Sequence, residues 1–444
     1  MERALIILAA GQGSRMQSDL PKVLHKVAGA PMLWHAMRGK DAARSVVVVG
    51  HGGDRVEASA KAFDEGVGIA RQDEQLGTAH AVAQARAALD GFEGDAIVLY
   101  GDTPFIRPET IDAMTEARAA GASVVVLGFE AAEPGGYGRL IMEGDALTRI
   151  VEAKEATPEE LAVSLCNSGV ICAPAPLLFE LIDKVGNENA KGEYYLTDIV
   201  GLAGEQGLSC AAVRCDEAET MGVNSRLDLA AAEAAFQDQA RREAMVNGTT
   251  LTDPASVFFA YDTVIGRDVE IGPNVVFGPD VTVESGATIL PFCHLEGCHI
   301  SRGATVGPFA RLRPGAELAE DSKVGNFCEV KNAQIDQGAK VNHLTYIGDA
   351  RVGKKANIGA GTITCNYDGV FKHHTEIGDE AFIGSNSALV APVTIGAGAL
   401  VGSGSVITRD VPEGDIALSR ARQENKTGMA TKLFARLRAL KEKK

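Results

Sequence analysis

No apolar run in these 444 residues approaches the roughly 18 needed for a helix to cross a bilayer. The N-terminus lacks a basic stretch leading into a longer apolar core, so no signal peptide is expected. The eight cysteines contain no C-x-x-C, and even the pairs Cys210/Cys215 and Cys293/Cys298 have the wrong spacing for a metal knuckle. Disulfides and cysteine-ligated metal are therefore not expected, and a reducing cytoplasm is the simplest compartment. Positive charge is also in deficit: 43 Lys and Arg stand against 59 Asp and Glu, for a net −16. That balance argues against a general nucleic-acid binder, which needs clustered cations, and reads as solubility. Aromatics are scarce, with 15 Phe, 7 Tyr and 1 Trp beside 50 Gly, which points to many tight turns.

What is present divides the chain in three. Up to about Arg226, short apolar runs alternate with amphipathic segments. "ALIIL" (4–8), "SVVVV" (45–49), "AIVLY" (96–100) and "ASVVVLG" (122–128) read as buried strands, with "DRVEASAKAFDE", "GTAHAVAQARAALD" and "ETIDAMTEARAAG" as helices between them. Such alternation predicts a mainly parallel sheet covered on both faces, with ligands bound beyond the carboxyl ends of its strands. Residues 227–247 are rich in Ala, Glu, Gln and Arg and free of Gly and Pro, which predicts a long connecting helix stopped at Gly248. The pattern then changes. Ile265, Ile271, Phe277, Val283, Ile289 and Leu295 stand six apart; the period resumes from Ile300 to Val330 and again from Ile377 to Ile407. An aliphatic residue at every sixth position is a hexapeptide repeat, whose strands each place one side chain inside a narrow triangular prism. It predicts a parallel β-helix, with irregular coils or an extruded loop where the phase breaks at 330–335, 347–352 and 362–376. Beyond Arg420 the basic tail can form a helix or stay solvated and disordered.

One turn carries the first chemistry. "LAAGQGSRMQSDLPKVL" (8–24) has Gly11 and Gly13 but Met16 where a dinucleotide fingerprint needs its third glycine, and no G-K-[ST] follows. Alone it is equally a surface turn; Arg15 and Lys22 beside it supply the cations that neutralise a triphosphate.

This stretch resembles the L-x-x-G-x-G-[ST]-R-[ML]…P-K signature of sugar-1-phosphate nucleotidyltransferases. "RQDEQLGTAHAV", "LYGDTPFI", "GGYGRL", "IVEAKEAT", "CNSGV", "GEYYLTDIV" and "GVNSRLDL" match in order. Together with the repeats, residues 4–425 resemble the bacterial bifunctional N-acetylglucosamine-1-phosphate uridyltransferases/glucosamine-1-phosphate N-acetyltransferases. The resemblance implies a Rossmann-like α/β uridylyltransferase domain over residues 1–226, a helical linker over 227–247, a left-handed parallel β-helix acetyltransferase over 248–420 and a basic tail over 421–444. It implies glucosamine-1-phosphate, N-acetylglucosamine-1-phosphate, UTP and acetyl-CoA as substrates, Mg²⁺ as cofactor, and a cytoplasmic homotrimer that engages neither nucleic acid nor membrane.

Carried over residue by residue, Arg15 and Lys22 clamp phosphates, and Asp102 with Asn224 holds Mg²⁺. Hard oxygen donors of this kind suit the ion, although a strand-end aspartate also serves as a plain turn or cap. Gln72, Gly77 and Thr78 fall on the uracil side, and Gly138, Glu152 and Asn167 on the sugar. In the repeats, "KVNHLTYIGDA" offers His343 as the base that acetyl transfer to an amine needs, with Glu329 matching a residue that orients it. Arg313, Lys331, Tyr346 and Asn357 match sugar-phosphate contacts. Ala360, Asn366, Tyr367, Ser385, Ser403 and Arg420 match acetyl-CoA contacts. The sequence departs from the family at Ser403, where Ala is usual, and at "ARQENKTG" after Arg420. Two rival readings use the same folds: a nucleotidyltransferase with a structural β-helix, and a non-enzymatic subunit of a translation-initiation exchange factor. "NHLTYIGDA" and "CNYDG" speak against the first; Arg15, Lys22, Asp102 and Asn224 together speak against the second.

Overall fold

A computed structural model describes residues 2–189 and 191–443, so Met1, Ala190 and the tail's last residue, Lys444, lie outside the description. The strand Arg3–Ala9 pairs in parallel with Arg44–Val49 on one side and Asp95–Tyr100 on the other, and Gly68–Arg71 extends the parallel half. Both faces of these strands are buried, which is why they read as unbroken apolar runs. Ala4, Ile6, Leu8, Val46 and Val48 pack into one core, and Leu5, Ile7, Ala9, Val47 and Val49 into the other.

Beyond Asp95–Tyr100 the nine-stranded sheet becomes mixed. Leu165–Pro174 runs antiparallel to both neighbours, and the hairpin Arg139–Glu143/Ala146–Val151 closes the far edge. The sheet is therefore less parallel than the sequence pattern suggests, because a hairpin turn gives no helical crossover to signal its direction. The helices Gly53–Phe63 and Pro108–Ala119 match expectation; the segment read as one helix over 77–90 is instead Thr78–Gln84 followed by a 3-10 turn, Ala87–Leu89.

The helix Arg226–Val246 follows, and the chain's two compact units, Met1–Ala240 and Arg241–Lys444, divide within it.

The second unit is a left-handed parallel β-helix. One face stacks ten strands, from Thr250–Leu251 to Ile416–Ala417, entirely in parallel register. Ile271, Ile289, Val306, Val324, Val341, Ile358, Ile383 and Val401 form its inward column, all at most 1% exposed. The phase breaks have a simple cause. Coils of 18 residues (Glu270 paired with Thr288, Thr305 with Lys323) are interspersed with coils of 17, first where Val281 pairs with Cys298 and Thr288 with Thr305, then where Ala333 pairs with Ala350 and Lys340 with Asn357. One corner loses a residue, and the chain crosses it as the continuous strands Glu329–Ile335 and Tyr346–Val352. These coils are regular rather than irregular. The next turn pairs Asn357 with Phe382, 25 apart, and the surplus forms the expected loop, which closes on a Tyr367/Lys372 bridge. In the tail, Met429–Lys441 is helical with every residue exposed.

Candidate active sites

The first site lies at the carboxyl ends of Arg3–Ala9 and Asp95–Tyr100. A cleft there is lined by Gly11, Lys22, Gln72, Gly77, Thr78 and Asp102. Gly13 has φ 61°, and a Cβ on it would sit 2.6 Å from the Lys22 Cβ. The glycine thus lets the turn fold flat against the lysine stem, which locks the two halves of the signature together. Lys22 Nζ is salt-bridged to Asp102 and lies 3.1 Å from Asn224 Oδ1. Both oxygen donors therefore converge on one cationic centre. Arg15 stays exposed on the turn Ser14–Met16; against the opposing effect of burial, hydrogen bonds from the Asn224 and Ser225 N–H groups and the Ser225 side chain hold Asp228 below the usual carboxylate range, with Arg15 adding a smaller share.

On the nucleotide side, the Gln72 amide donates to the Gly77 carbonyl at 3.2 Å, and Thr78 Oγ1 accepts from the Leu196 N–H at 2.9 Å. Gly77 has φ 117°, and a Cβ there would fall 2.4 Å from the Tyr194 carbonyl oxygen. Gly138, Glu152 and Asn167 also meet: the Asn167 N–H donates to the Gly138 carbonyl at 2.8 Å. A Cβ on Gly138 would lie 3.6 Å from Glu152 Oε1. Burial, aided by Glu155, pushes the Glu152 carboxyl up. Half-buried Tyr100 feels both groups; its hydroxyl is pushed up by desolvation and then by the charges of Asp102 and Glu152. Nothing in its sequence context singled out Tyr100.

The second site runs along one corner of the β-helix. Register places His343, Ala360, Ser385 and Ser403 at equivalent positions on successive coils, and Arg420 Nη1 donates to the Ser403 carbonyl at 2.7 Å. At about 4.8 Å per coil this column spans three coil steps, a length suited to an extended ligand. On the adjoining face Arg313 Nη1 lies 2.8 Å from Glu329 Oε1, so Glu329 serves Arg313 here and not His343. His343 Nδ1 instead meets Asn326 Oδ1 at 2.6 Å.

Lys331 faces Lys372, and this like charge pushes the Lys331 ammonium down. Two lysines facing each other near Arg313 concentrate the positive charge that an anion takes. Asp349 ties the loop to the prism: Asn332 donates to it at 2.7 Å, Asn366 also donates, and Lys372 approaches at 3.9 Å. Although burial opposes it, these donors and cations hold its carboxyl below the usual range. Tyr346 folds over Gly348, where a Cβ would meet its hydroxyl at 2.3 Å, and the Asn366 amide lies 3.5 Å from the same oxygen. Asn357 stands apart, on the face that carries His343, and Tyr367 is exposed at the loop's base.

Comparison with known proteins decides the family. A MobA-like NTP transferase domain matches residues 5–176, and bacterial transferase hexapeptide repeats match 262–297 and 374–409. The bifunctional protein GlmU of Cereibacter sphaeroides (strain ATCC 17025) is 65% identical over 442 residues, covering 99% of this chain and 97% of that protein. Those of Ruegeria sp. (strain TM1040) and Jannaschia sp. (strain CCS1) are 62% and 61% identical, covering 100% and 99% of this chain and 99% and 98% of theirs. The chain belongs to the bifunctional GlmU family. As a GlmU it is an enzyme with two activities, a uridyltransferase in the NTP transferase domain and an acetyltransferase in the hexapeptide repeats.

Sequence reasoning missed Lys372, Asp349 and Asn326 in this GlmU. Lys372 was the most accessible of the three, as a cation in the loop already singled out by "CNYDG".

Proposed function

We propose that this chain acetylates glucosamine-1-phosphate in its β-helix and then transfers uridylyl from UTP to the product in its N-terminal unit. The observation that carries the second step is the Lys22 ammonium held by both Asp102 and Asn224. Two oxygen donors that already share a cation suit Mg²⁺, which binds through one or two such groups with water and phosphate completing its shell. Bound there, Mg²⁺ would neutralise charge on the triphosphate. Lys22, released to the phosphates, and exposed Arg15 neutralise the rest. Gln72, Gly77 and Thr78 hold the base, while Gly138, Glu152 and Asn167 hold the sugar. A phosphate oxygen of the sugar attacks the α-phosphorus, the bond to the β-phosphate oxygen breaks, and pyrophosphate leaves. The protein's contribution is positioning and charge neutralisation.

In the β-helix, Arg313, Lys331 and Tyr346 grip the sugar phosphate, with Asn357 completing the substrate's contacts. The column Ala360–Ser385–Ser403 with Arg420, flanked by Asn366 and Tyr367, takes acetyl-CoA. His343 accepts the amine proton as nitrogen attacks the thioester carbon; the C–S bond breaks and the thiolate is protonated on departure. The enzyme acts in the cytoplasm, a reading supported by eight unpaired cysteines; no described helix is long and apolar enough to cross a membrane. It acts as a homotrimer. Phe292, Phe309 and Phe327 stack at 4.8 and 5.1 Å between ring centres, and each is about half exposed, as is Leu344 on the next coil. This apolar ridge adjoins His343 and suits packing against another copy.

Two variants test the assignment. Asp102→Ala is expected to abolish pyrophosphate release while CoA release continues, and His343→Ala to do the reverse. Loss of both activities in either variant would contradict it.

A further inference from the structure

A neutral imidazole accepts a proton only at the nitrogen that lacks one, and its two tautomers compete unless a neighbour holds the other N–H. The β-helix supplies that neighbour. Asn326 and His343 stand opposite each other in the parallel register of Lys323–Asn326 with Lys340–His343. Each ends its strand directly before a left-handed residue, Phe327 with φ 56° and Leu344 with φ 49°. Both side chains therefore leave the prism at the same corner, one coil apart, and Asn326 Oδ1 comes within 2.6 Å of His343 Nδ1. The histidine backbone is fixed independently: its carbonyl accepts from Thr345 Oγ1 at 2.7 Å and from the Gly361 N–H at 3.2 Å. Asn326 is half-buried, whereas the histidine is exposed to the site.

We propose that Asn326 is the positioning residue for acetyl transfer, accepting the Nδ1–H of His343 so that Nε2 stays bare to take the substrate's proton. This rests on the reading of His343 as the base. The carboxylate that the sequence offered for this duty, Glu329, is engaged by Arg313 at 2.8 Å. A neutral amide also suits the task better than an unpaired carboxylate. It fixes the tautomer without adding the full negative charge that would favour an imidazolium, which cannot act as a base. As the amine nitrogen bonds to the acetyl carbon, its proton passes to Nε2. The Nδ1–H bond to Asn326 persists in the resulting imidazolium, which returns the proton to the departing thiolate.

The test uses full-length enzyme labelled with ¹⁵N-histidine, with the His343 signals identified by their loss in His343→Gln. The proposal expects an Nδ1–H tautomer for His343 in the unsubstituted protein; an Nε2–H tautomer overturns it, whatever the variants do. Asn326→Leu keeps the side-chain shape and removes the acceptor. It should lower kcat for CoA release about tenfold to a hundredfold, with KM for glucosamine-1-phosphate and uridylyl transfer essentially unchanged. Asn326→Asp restores an acceptor but adds the charge that favours the imidazolium, so it should recover part of the rate with the pH profile of kcat displaced upward. If Asn326→Leu turns over like the unsubstituted enzyme while His343→Ala is inactive, Asn326 has no positioning role and the base assignment stands. An active His343→Ala would instead overturn the base assignment itself.

Discussion

Gly77 shows how a single hydrogen in place of a side chain can let two backbone segments meet at the edge of a cleft. Its φ of 117° and the Tyr194 backbone 2.4 Å from any added Cβ leave room for no other residue. Gly77→Ala should cost the N-terminal unit about 2 kcal/mol or more, through strain and overpacking, with uridylyl transfer lost and acetyl transfer kept. Thermal unfolding followed alongside both half-reactions checks this. Glu152 is the opposite case, a residue whose function opposes stability. Burial raises its carboxyl pKa above the ordinary value, so its protonated form is favoured by folding. The resulting stability is fully present below the unfolded carboxylate's pKa and is lost as pH rises through the higher folded value. Glu152→Gln is therefore expected to unfold at a higher temperature than the parent at pH 8, with the gap closing toward pH 4, while sugar affinity falls. Melting curves across that range would show it; a gap that widens on acidification would refute the cause.

The β-helix turns a sequence period into structure, coil by coil. Each sixth aliphatic residue fills the prism, so the architecture was legible from residues 265 to 407 before any contact was known. The corner where coils contract to 17 residues shows in the sequence only as a slip of phase. Its consequence differs from coil to coil: His294–Leu295 and Cys298–Ile300 stay separate across the shortened corner, whereas Glu329–Ile335 and Tyr346–Val352 run straight through it. Because Ile358 is 1% exposed in the middle of the stack, Ile358→Ala should destabilise the second unit by about 2–5 kcal/mol. Denaturant unfolding should show that loss, with uridylyl transfer retained below the transition. Family motifs pointed to single residues such as Lys22, Asp102 and His343, and the structure brings Lys22 against Asp102 and Asn224. The sites were not legible where partners come from different coils. Asn326 lies 17 positions before His343 and touches it only because the chain has completed one turn of the prism. Lys372 reaches Lys331 across the extruded loop, and Glu329 looked like the partner of His343 until Arg313 was seen to claim it.

At the scale of the whole molecule, two chemistries share a chain but not a site. The stacked ridge of Phe292, Phe309 and Phe327, its rings about half exposed, is the surface on which the proposed trimer rests. Phe309→Glu is expected to convert trimers to monomers in sedimentation velocity and to cut acetyl transfer at least about tenfold, with uridylyl transfer unaffected. The central claim is that Asp102 and His343 serve separate sites linked only by a diffusible sugar phosphate. Its most direct test is complementation between Asp102→Ala and His343→Ala, assayed with glucosamine-1-phosphate, acetyl-CoA, UTP and Mg²⁺. Neither variant alone should form the nucleotide sugar, and an equal mixture should form it. A mixture that stays inactive, although each variant retains its own half-reaction, would contradict the account.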